Sequence, residues 1–340
     1  MRYTSTRGGA PETSPAAAVT AGIAPDGGLY IPVPAMLPKL SIGEITALAG
    51  QTYVERAMAI LAPFFSDFTA PELRHCLEAA YAPVKFGSGA VAPVVKIGPE
   101  DFLLELWHGP TSAFKDMALQ FLPHLVAKAL AKTGDRADIV ILVATSGDTG
   151  KAALEGFRDV ERTRIFVFFP FAGVSEIQRL QMVTQEGRNV AVAAIRGNFD
   201  DAQAGVKKIF NDQALASKLA EAGFRLSSAN SINWGRLAPQ IAYYFSAYAD
   251  LVNKGWLPPG AKINFAVPTG NFGNILAGYY ARLMGLPIGR LICASNRNKV
   301  LTDFFATGIY DRNRAFFKTT SPSMDILVSS NLERLLYHLT

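Results

Sequence analysis

The chain has 340 residues, of which 49% are hydrophobic and 18% are charged, so it can form a sizeable core and is not predicted to be disordered. At about 150 residues a domain, this length is typical of two domains. The formal net charge of +5 is modest and the basic residues are scattered, which argues against nucleic acid as a partner and leaves small anionic ligands open.

The cysteines and histidines predict neither a disulfide framework nor a metal site. Cys76 and Cys293 lie far apart without a CxxC pattern, which is typical of a reducing cytosol, and the histidines lack metal-ligand spacing. The N-terminus has no apolar stretch of the signal-peptide kind, and the densest apolar run, IFVFFPFAGV, is too short for a membrane span. We therefore expect a soluble cytoplasmic protein.

The first quarter of the sequence differs in pattern from the rest. Residues 1–40 are rich in Gly and Pro, which predicts an irregular or short-stranded start. Apolar residues at helical spacing between Ile42 and Tyr81 predict amphipathic helices, with breaks near Pro63 and Pro71. The turn-rich PVKFGSGAVAP then favours a domain boundary at about residue 86.

Strand and helix patterns alternate after this boundary. The predicted strands cover 102–106, 138–145, 165–169, 189–195, 263–269 and 290–295. The predicted helices cover 112–131, 149–158, 175–186, 200–221, 234–253 and 274–284. Near-continuous apolar strands separated by helices indicate an α/β fold, with mostly parallel sheets covered by helices on both faces.

A last helix is predicted from Leu332, Leu335, Leu336 and Leu339, which share one helical face. This pattern stops without a Gly or another capping residue. We therefore expect the C-terminal part of the fold to be incomplete.

The stretch HGPTSAFKDMALQFL (108–122) places a lysine in or near the start of an apolar helix. Thr111 is the predicted N-cap and Pro123 a predicted kink. The helix dipole and apolar surroundings would both lower the pKa of Lys115, so its amine is a candidate nucleophile for holding a carbonyl cofactor as a Schiff base. The alternative is a solvated lysine paired with a nearby acid.

Two glycine-rich loops follow predicted strands and precede predicted helices. ATSGDTGKAA (144–153) offers backbone N–H groups to an anion, but Thr145 and Ala152 depart from the Walker A pattern. In VPTGNFGNILAG (267–278), Gly270 and Gly273 let the backbone approach a ligand, and a phosphate is the expected occupant. Ligands of open α/β sheets bind at this end of the strands. Plain connecting turns remain the alternative for both loops.

A third polar cluster is SSANSINWGRLAPQ (227–240), which precedes an aromatic helix. Asn230, Ser231 or Asn233 is expected to cap that helix. Arg236, one turn further, is a candidate ligand for an anionic group of a substrate.

Taken together, HGPTSAFKD, ATSGDTG, SANSINWGR and PTGNFGN closely resemble, in order and separation, the motifs of the threonine synthase family. GIAPDGGLYIP and SPSMDI extend the resemblance over nearly the whole chain. It implies a tryptophan-synthase-β-like fold (PLP fold type II), with an N-terminal threonine-synthase-type domain (1–86). A catalytic region dependent on pyridoxal 5'-phosphate would follow (87–340). By analogy, residues at about 128–205 would form a smaller mobile lobe.

The resemblance also implies roles for individual residues. Lys115 would be the catalytic residue and would form a Schiff base with the cofactor. The cofactor phosphate would be held by Gly270, Asn271, Phe272, Gly273 and Asn274. The substrate carboxylate would be received by Thr145, Ser146, Gly147, Asp148 and Thr149. Asn233 and Arg236, with Lys151, are candidates for the substrate phosphate, whereas His108 is expected only to cap or pack.

The family reaction converts O-phospho-L-homoserine and water to L-threonine and phosphate, so the implied partner is a small molecule and the implied assembly a monomer or homodimer. Two alternatives remain open. One is a related phospho-lyase that releases 2-ketobutyrate from the same substrate, and the other is an inactive protein that binds the cofactor or acts as a scaffold. A nucleotide-binding enzyme is disfavoured by the failed Walker A pattern and the absence of GxGxxG.

Overall fold

The computed structural model of the chain describes residues 1–87, 89–145 and 147–340, and it begins with a small antiparallel sheet. Strand β1 (Tyr3–Ser5) pairs with β2 (Tyr30–Pro32), and helix α1 (Pro15–Ala21) connects them. The helices that follow are α2 (Ile42–Thr46), α3 (Tyr53–Leu61), α4 (Ala70–Ala80) and α5 (Pro83–Phe86). The predicted short-stranded start and the helices between residues 42 and 81 are confirmed.

Capping boxes determine where α2, α3 and α4 begin. In each, the side chain of a Ser or Thr accepts a hydrogen bond from the N–H of a Glu three residues later, and the Glu carboxylate accepts one from the N–H of the capping residue. The pairs are Ser41 with Glu44, Thr52 with Glu55, and Thr69 with Glu72. Local sequence is sufficient to start these helices.

A hairpin and two helices follow the N-terminal part. Strand β3 (Val94–Lys96) pairs antiparallel with β4 (Phe102–Leu104), and α6 (Asp116–Leu119) and α7 (Leu122–Thr133) come next. The prediction of one helix over 112–131 with Thr111 as its N-cap is therefore wrong. The helix begins only at Asp116, because its carboxylate accepts hydrogen bonds from the N–H and hydroxyl of Thr111 and holds the residues between them in a loop.

A four-stranded parallel sheet forms the middle of the chain. Its strands are β5 (Asp138–Ala144), β6 (Thr163–Pro170), β7 (Val190–Ile195) and β8 (Phe224–Ser227), in the order β7-β6-β5-β8. The connecting helices are α8 (Asp148–Phe157), α9 (Glu176–Val183), α10 (Phe199–Asn211) and α11 (Gln213–Glu221). The prediction omitted β8, and the predicted helix over 200–221 is interrupted at Asp212, whose side chain caps α11.

Helices cover both faces of this sheet, as the nearly continuous apolar run of β5 predicts. Ile139, Ile141 and Val143 point into the main core of the protein, whereas Val140, Leu142 and Ala144 form a second cluster with Ala202 and Val206 of α10. The alternation along β5 thus divides its side chains between the two faces.

The last third contains a second parallel pair of strands. Its elements are α12 (Trp234–Leu237), α13 (Pro239–Asn253), β9 (Ile263–Pro268), α14 (Gly273–Leu283), β10 (Ile288–Ala294), α15 (Val300–Thr307) and α16 (Leu332–Leu339). Strands β9 and β10 pair in parallel, and α13 is buried along nearly all of its length. The last helix predicted from the leucines is confirmed as α16. Within the described ranges, each helix is too short or too polar to cross a lipid bilayer.

Candidate active site

Lys115 occupies the position just before α6, at the end of the loop that Asp116 closes. The N–H and hydroxyl of Thr111 each lie 2.8 Å from an oxygen of the Asp116 carboxylate. Burial raises the pKa of this carboxyl to about 6. Asp116 therefore fixes the backbone that carries Lys115, a role that the sequence motif FKD did not by itself reveal.

The amine of Lys115 is buried and, among the described residues, forms one long ion pair, with Asp148. Its Nζ lies 3.9 Å from Oδ2 of Asp148, and only 9% of the residue is exposed. Burial lowers the pKa of Lys115 to about 8; the charge of Arg236 lowers it further, and Asp148 opposes the shift. Because α6 is only four residues long, burial rather than the helix dipole explains the shift. A substantial fraction of this amine is neutral near pH 8.

The loop between β5 and α8 turns around the hydroxyl of Thr145. This oxygen accepts hydrogen bonds from the N–H groups of Gly147, at 3.0 Å, and Gly150, at 2.9 Å. Ser146 lies outside the described residues. The N–H groups of Asp148 and Thr149 donate to no atom of the described part of the chain, and Thr149 is half-buried. Thr145 thus shapes the loop, and the start of α8 retains free donors.

Asp148 links this loop to α9 and to the lysine. Its Oδ1 accepts a hydrogen bond of 2.6 Å from Nε2 of Gln178, while its Oδ2 faces Lys115. Gln178 in turn accepts a bond from the N–H of Ser175 at the start of α9. No sequence signal pointed to Gln178, because its partner is 30 residues away along the chain.

The loop between β9 and α14 presents unpaired backbone donors. Within the described chain, the N–H groups of residues 270–274 donate to no protein acceptor, and α14 begins at Gly273. Phe272 has φ of 66° and its side chain is buried, so its backbone rather than its ring faces outward from the core. Nδ2 of Asn274 donates to the carbonyl of Pro268 at 2.7 Å. Such a helix start is suited to bind an anion.

In the third polar cluster, Asn233 caps helix α12 and Arg236 supplies a buried positive charge. Oδ1 of Asn233 accepts from the N–H of Gly235 and Nδ2 donates to the carbonyl of Val19, so its amide is occupied in holding the fold. Arg236 is buried and donates through Nη1 to the carbonyl of Ala229. Burial lowers its pKa to about 10, and no carboxylate of the described residues forms an ion pair with it. Arg236 is the better candidate for an anionic ligand.

The remaining candidates have local partners. Nζ of Lys151 donates to Oε1 of Gln185 at 2.7 Å, and burial lowers the pKa of this lysine. The ring of His108 lies 2.6 Å from the carboxylate of Glu105. The bonds of Lys151 and His108 are therefore to Gln185 and Glu105, and neither bond is to Lys115 or Asp148.

A large cavity is lined by residues from three of the segments singled out in the sequence, 108–122, 144–153 and 267–278. Its volume is about 1140 Å³, and it is lined by residues that include Phe114, Asp148, Pro268 and Asn274. Lys115 is not itself part of the lining, but its neighbour Phe114 and its partner Asp148 are. A ligand in this cavity can contact Asn274 in the first turn of α14 as well as Phe114 and Asp148 beside the lysine.

Comparison with known proteins agrees with this arrangement. A family model described as Threonine synthase N terminus matches residues 2–81. Threonine synthase from Pseudomonas aeruginosa is 47% identical over 340 residues, which cover 100% of this chain and 69% of that protein. The chain belongs to the threonine synthase family.

Two further relatives are similar to this chain in sequence or in structure. Threonine synthase-like 1 from Homo sapiens is 47% identical over 329 residues, which cover 94% of this chain and 44% of that protein. A solved structure, described as PLP-bound threonine synthase from Brucella melitensis, is 45% identical and superposes with a TM-score of 0.89 over 99% of this chain and 69% of that one. The tryptophan-synthase-β-like fold is thereby confirmed. The chain spans less than half of the human relative.

Proposed function

We propose that this member of the threonine synthase family binds pyridoxal 5'-phosphate at Lys115 and converts O-phospho-L-homoserine and water to L-threonine and phosphate. One observation carries the proposal: a buried amine with a pKa of about 8 lies beside a cavity whose lining includes Phe114, Asp148 and, in the first turn of α14, Asn274. The names of the relatives from Pseudomonas aeruginosa and Brucella melitensis support the same assignment.

The residues present fit this cofactor. Lys115 supplies a buried amine that is neutral enough to bind an aldehyde carbon, and its nearest acid stays 3.9 Å away. The free backbone N–H groups of Gly270, Asn271, Phe272, Gly273 and Asn274 supply donors for a phosphate. When bound, pyridoxal phosphate supplies an electron sink that allows an α-proton of an amino acid to leave.

Lys115 is also the group that moves the proton. With a pKa of about 8, its amine can take a proton as a base and return it as an acid at near-neutral pH. Burial is the main cause of the lowered pKa of Lys115; Asp148 stabilises the protonated amine and so opposes this shift, while the charge of Arg236 adds to it. This balance requires Asp148 to stay where Gln178 holds it.

We assign the two anionic ends of the substrate to different loops. The carboxylate is received at residues Thr145, Ser146, Gly147, Asp148 and Thr149, where the N–H groups of Asp148 and Thr149 are free of acceptors among the described residues. The phosphate is received by Arg236, and Asn233 contributes by capping the helix that carries Arg236. A buried guanidinium without an acidic partner stabilises a phosphate dianion strongly, because little water competes for it.

Product analysis tests the reaction. The purified chain, supplied with pyridoxal phosphate and O-phosphohomoserine, should release threonine and phosphate in equal amounts. Release of 2-ketobutyrate and ammonia instead would identify the phospho-lyase alternative. A folded chain that binds the cofactor and releases no phosphate would support the inactive alternative and contradict the proposed reaction.

Borohydride labelling tests the lysine. Reduction of the cofactor-bound chain, followed by peptide mapping, should place the label on Lys115, and Lys115→Ala should lose both label and turnover while circular dichroism shows an intact fold. Lys85 is the matched control, because burial also lowers the pKa of its amine. Lys85→Ala should keep the label. A labelled Lys115→Ala protein would refute the assignment.

A further inference from the structure

The carbonyl groups of the loop before α14 accept hydrogen bonds from the segment that precedes α16. The hydroxyl of Ser329 donates to the carbonyl of Gly270. Both the backbone N–H and Nδ2 of Asn331 donate to the carbonyl of Asn271, each at 3.2 Å. Ser329 and Asn331 are buried, so water does not compete for these bonds.

These bonds determine where the free N–H groups of the loop point. In a planar trans peptide, the carbonyl of one residue and the N–H of the next point in opposite directions. When Ser329 fixes the Gly270 carbonyl, it also aims the N–H of Asn271 away from Ser329. Asn331 does the same for the N–H of Phe272 by fixing the Asn271 carbonyl.

Arg334 holds Asn331 in turn. Its Nη1 donates to Oδ1 of Asn331 and to the carbonyl of Ser231, Nη2 donates to the carbonyl of Ile232, and Nε donates to the carbonyl of Tyr30. Arg334 is fully buried, and no carboxylate of the described residues forms an ion pair with it. A buried charge with only neutral acceptors is costly, so its position is tightly determined by these bonds.

We infer that Ser329, Asn331 and Arg334 form a brace that positions the backbone donors of residues 270–274 for the phosphate of the cofactor. The brace also joins this loop to β2, through Tyr30, and to the segment before Arg236, through Ser231 and Ile232. The inference rests on the proposed function, since it assumes that the phosphate lies at this loop. Ser329 and Asn331 are positioning residues and need not touch the ligand.

The test compares pyridoxal phosphate with pyridoxal, which keeps the aldehyde and lacks the phosphate. Dissociation constants for both are measured by absorbance titration of the wild-type chain, Ser329→Ala and Asn331→Ala. Each variant should bind pyridoxal phosphate about tenfold more weakly, which is the effect of losing one positioning hydrogen bond, and pyridoxal less than twofold more weakly. The preference for the phosphate-bearing form should fall accordingly.

Ser246→Ala is the matched control, because this buried hydroxyl is bonded to Arg56 and not to the loop. It should leave the preference unchanged. Equal weakening of both ligands by Ser329→Ala would show a merely structural role and overturn the inference, while the proposed function would stand. If Asn331→Ala fails to fold, Ser329→Ala decides alone. A wild-type chain without preference for pyridoxal phosphate would refute the phosphate site and the brace together.

Discussion

Burial of the Lys115 amine lowers the stability of the folded chain, and the same burial favours the neutral amine that the proposed chemistry requires. The folded chain holds the pKa of this lysine at about 8 against an ordinary value of 10.5, chiefly because water is excluded from the amine. The neutral form is therefore favoured on folding, and the charged form is disfavoured. A lysine with this environment is a better nucleophile and base near neutrality than a solvated one.

The first prediction concerns the pH dependence of this cost. Between pH 8 and pH 10.5 the unfolded chain binds a proton at Lys115 that the folded chain has lost, so the contribution of this residue to stability rises with pH over this window. Lys115→Met should remove the rise. We compare the unfolding free energy of this variant with that of the cofactor-free wild type at each pH. The difference, variant minus wild type, should be about 3 kcal/mol larger below pH 8 than above pH 10.5. Urea unfolding across this range measures the difference.

A suitable control is Lys299→Met, which replaces a lysine whose side chain is 61% exposed. Its stability profile should run parallel to that of the wild type. If the Lys115→Met profile also runs parallel, the amine is not buried as the structure shows.

At the level of elements, the turn from β5 into α8 requires glycine at position 147. Gly147 has φ of 140°, and a Cβ there would lie 2.3 Å from the side chain of Gln178. The close approach brings Gln178 of α9 within hydrogen-bonding distance of Asp148. Packing between the loop and α9 thus determines the position of the acid that faces Lys115.

The second prediction is that Gly147→Ala lowers the unfolding free energy by about 2–3 kcal/mol, because it adds backbone strain and displaces Gln178. The measurement is chemical unfolding. Gly205→Ala provides the matched comparison: this glycine lies inside α10, and an added Cβ would meet no heavy atom within 4 Å. That change should stabilise the chain by about 0.5–1 kcal/mol. Equal effects of the two substitutions would contradict the packing described for Gly147.

For the whole molecule, the N-terminal part is joined to the rest by a shared core and a buried arginine. One cluster of buried apolar residues extends from Tyr3 to Leu335. Arg56 of α3 donates to Oδ1 of Asp250 at 2.5 Å and to both oxygen atoms of Ser246, all on α13. The interaction crosses 194 positions of sequence. Unfolding of the first 86 residues alone would therefore expose core and leave an acid without its partner.

The third prediction is that Arg56→Met destabilises the whole chain by about 2–4 kcal/mol, because Asp250 loses its counter-ion in a partly buried site. Tryptophan fluorescence and circular dichroism should report one shared unfolding transition. Arg74→Met is the comparison within the same part of the chain, since Arg74 and Glu78 form an exposed pair at 3.9 Å. That change should cost less than about 0.5 kcal/mol. Two separate transitions would contradict the shared core.

The sequence by itself determined the elements whose cause is local. The apolar run of β5 predicts a buried parallel strand, and both faces of β5 are covered. The apolar runs of β6 and β9 also predict parallel strands, although alternate residues of these two strands are exposed. Capping boxes determine where α2, α3 and α4 begin, and their cause is local because each box spans only four residues. The order and spacing of four motifs were enough to indicate the family, which the relatives then confirmed.

Tertiary structure alone decided how the candidate site is held. Asp148 faces Lys115 because Gln178, 30 residues away, holds its other oxygen. Asn331 fixes the loop at Asn271 across 60 positions of sequence. Such hydrogen bonds depend on which surfaces meet after folding and leave no periodic trace in the chain. The residues expected to do the chemistry could be read from motifs, whereas the residues that position them became visible only in three dimensions.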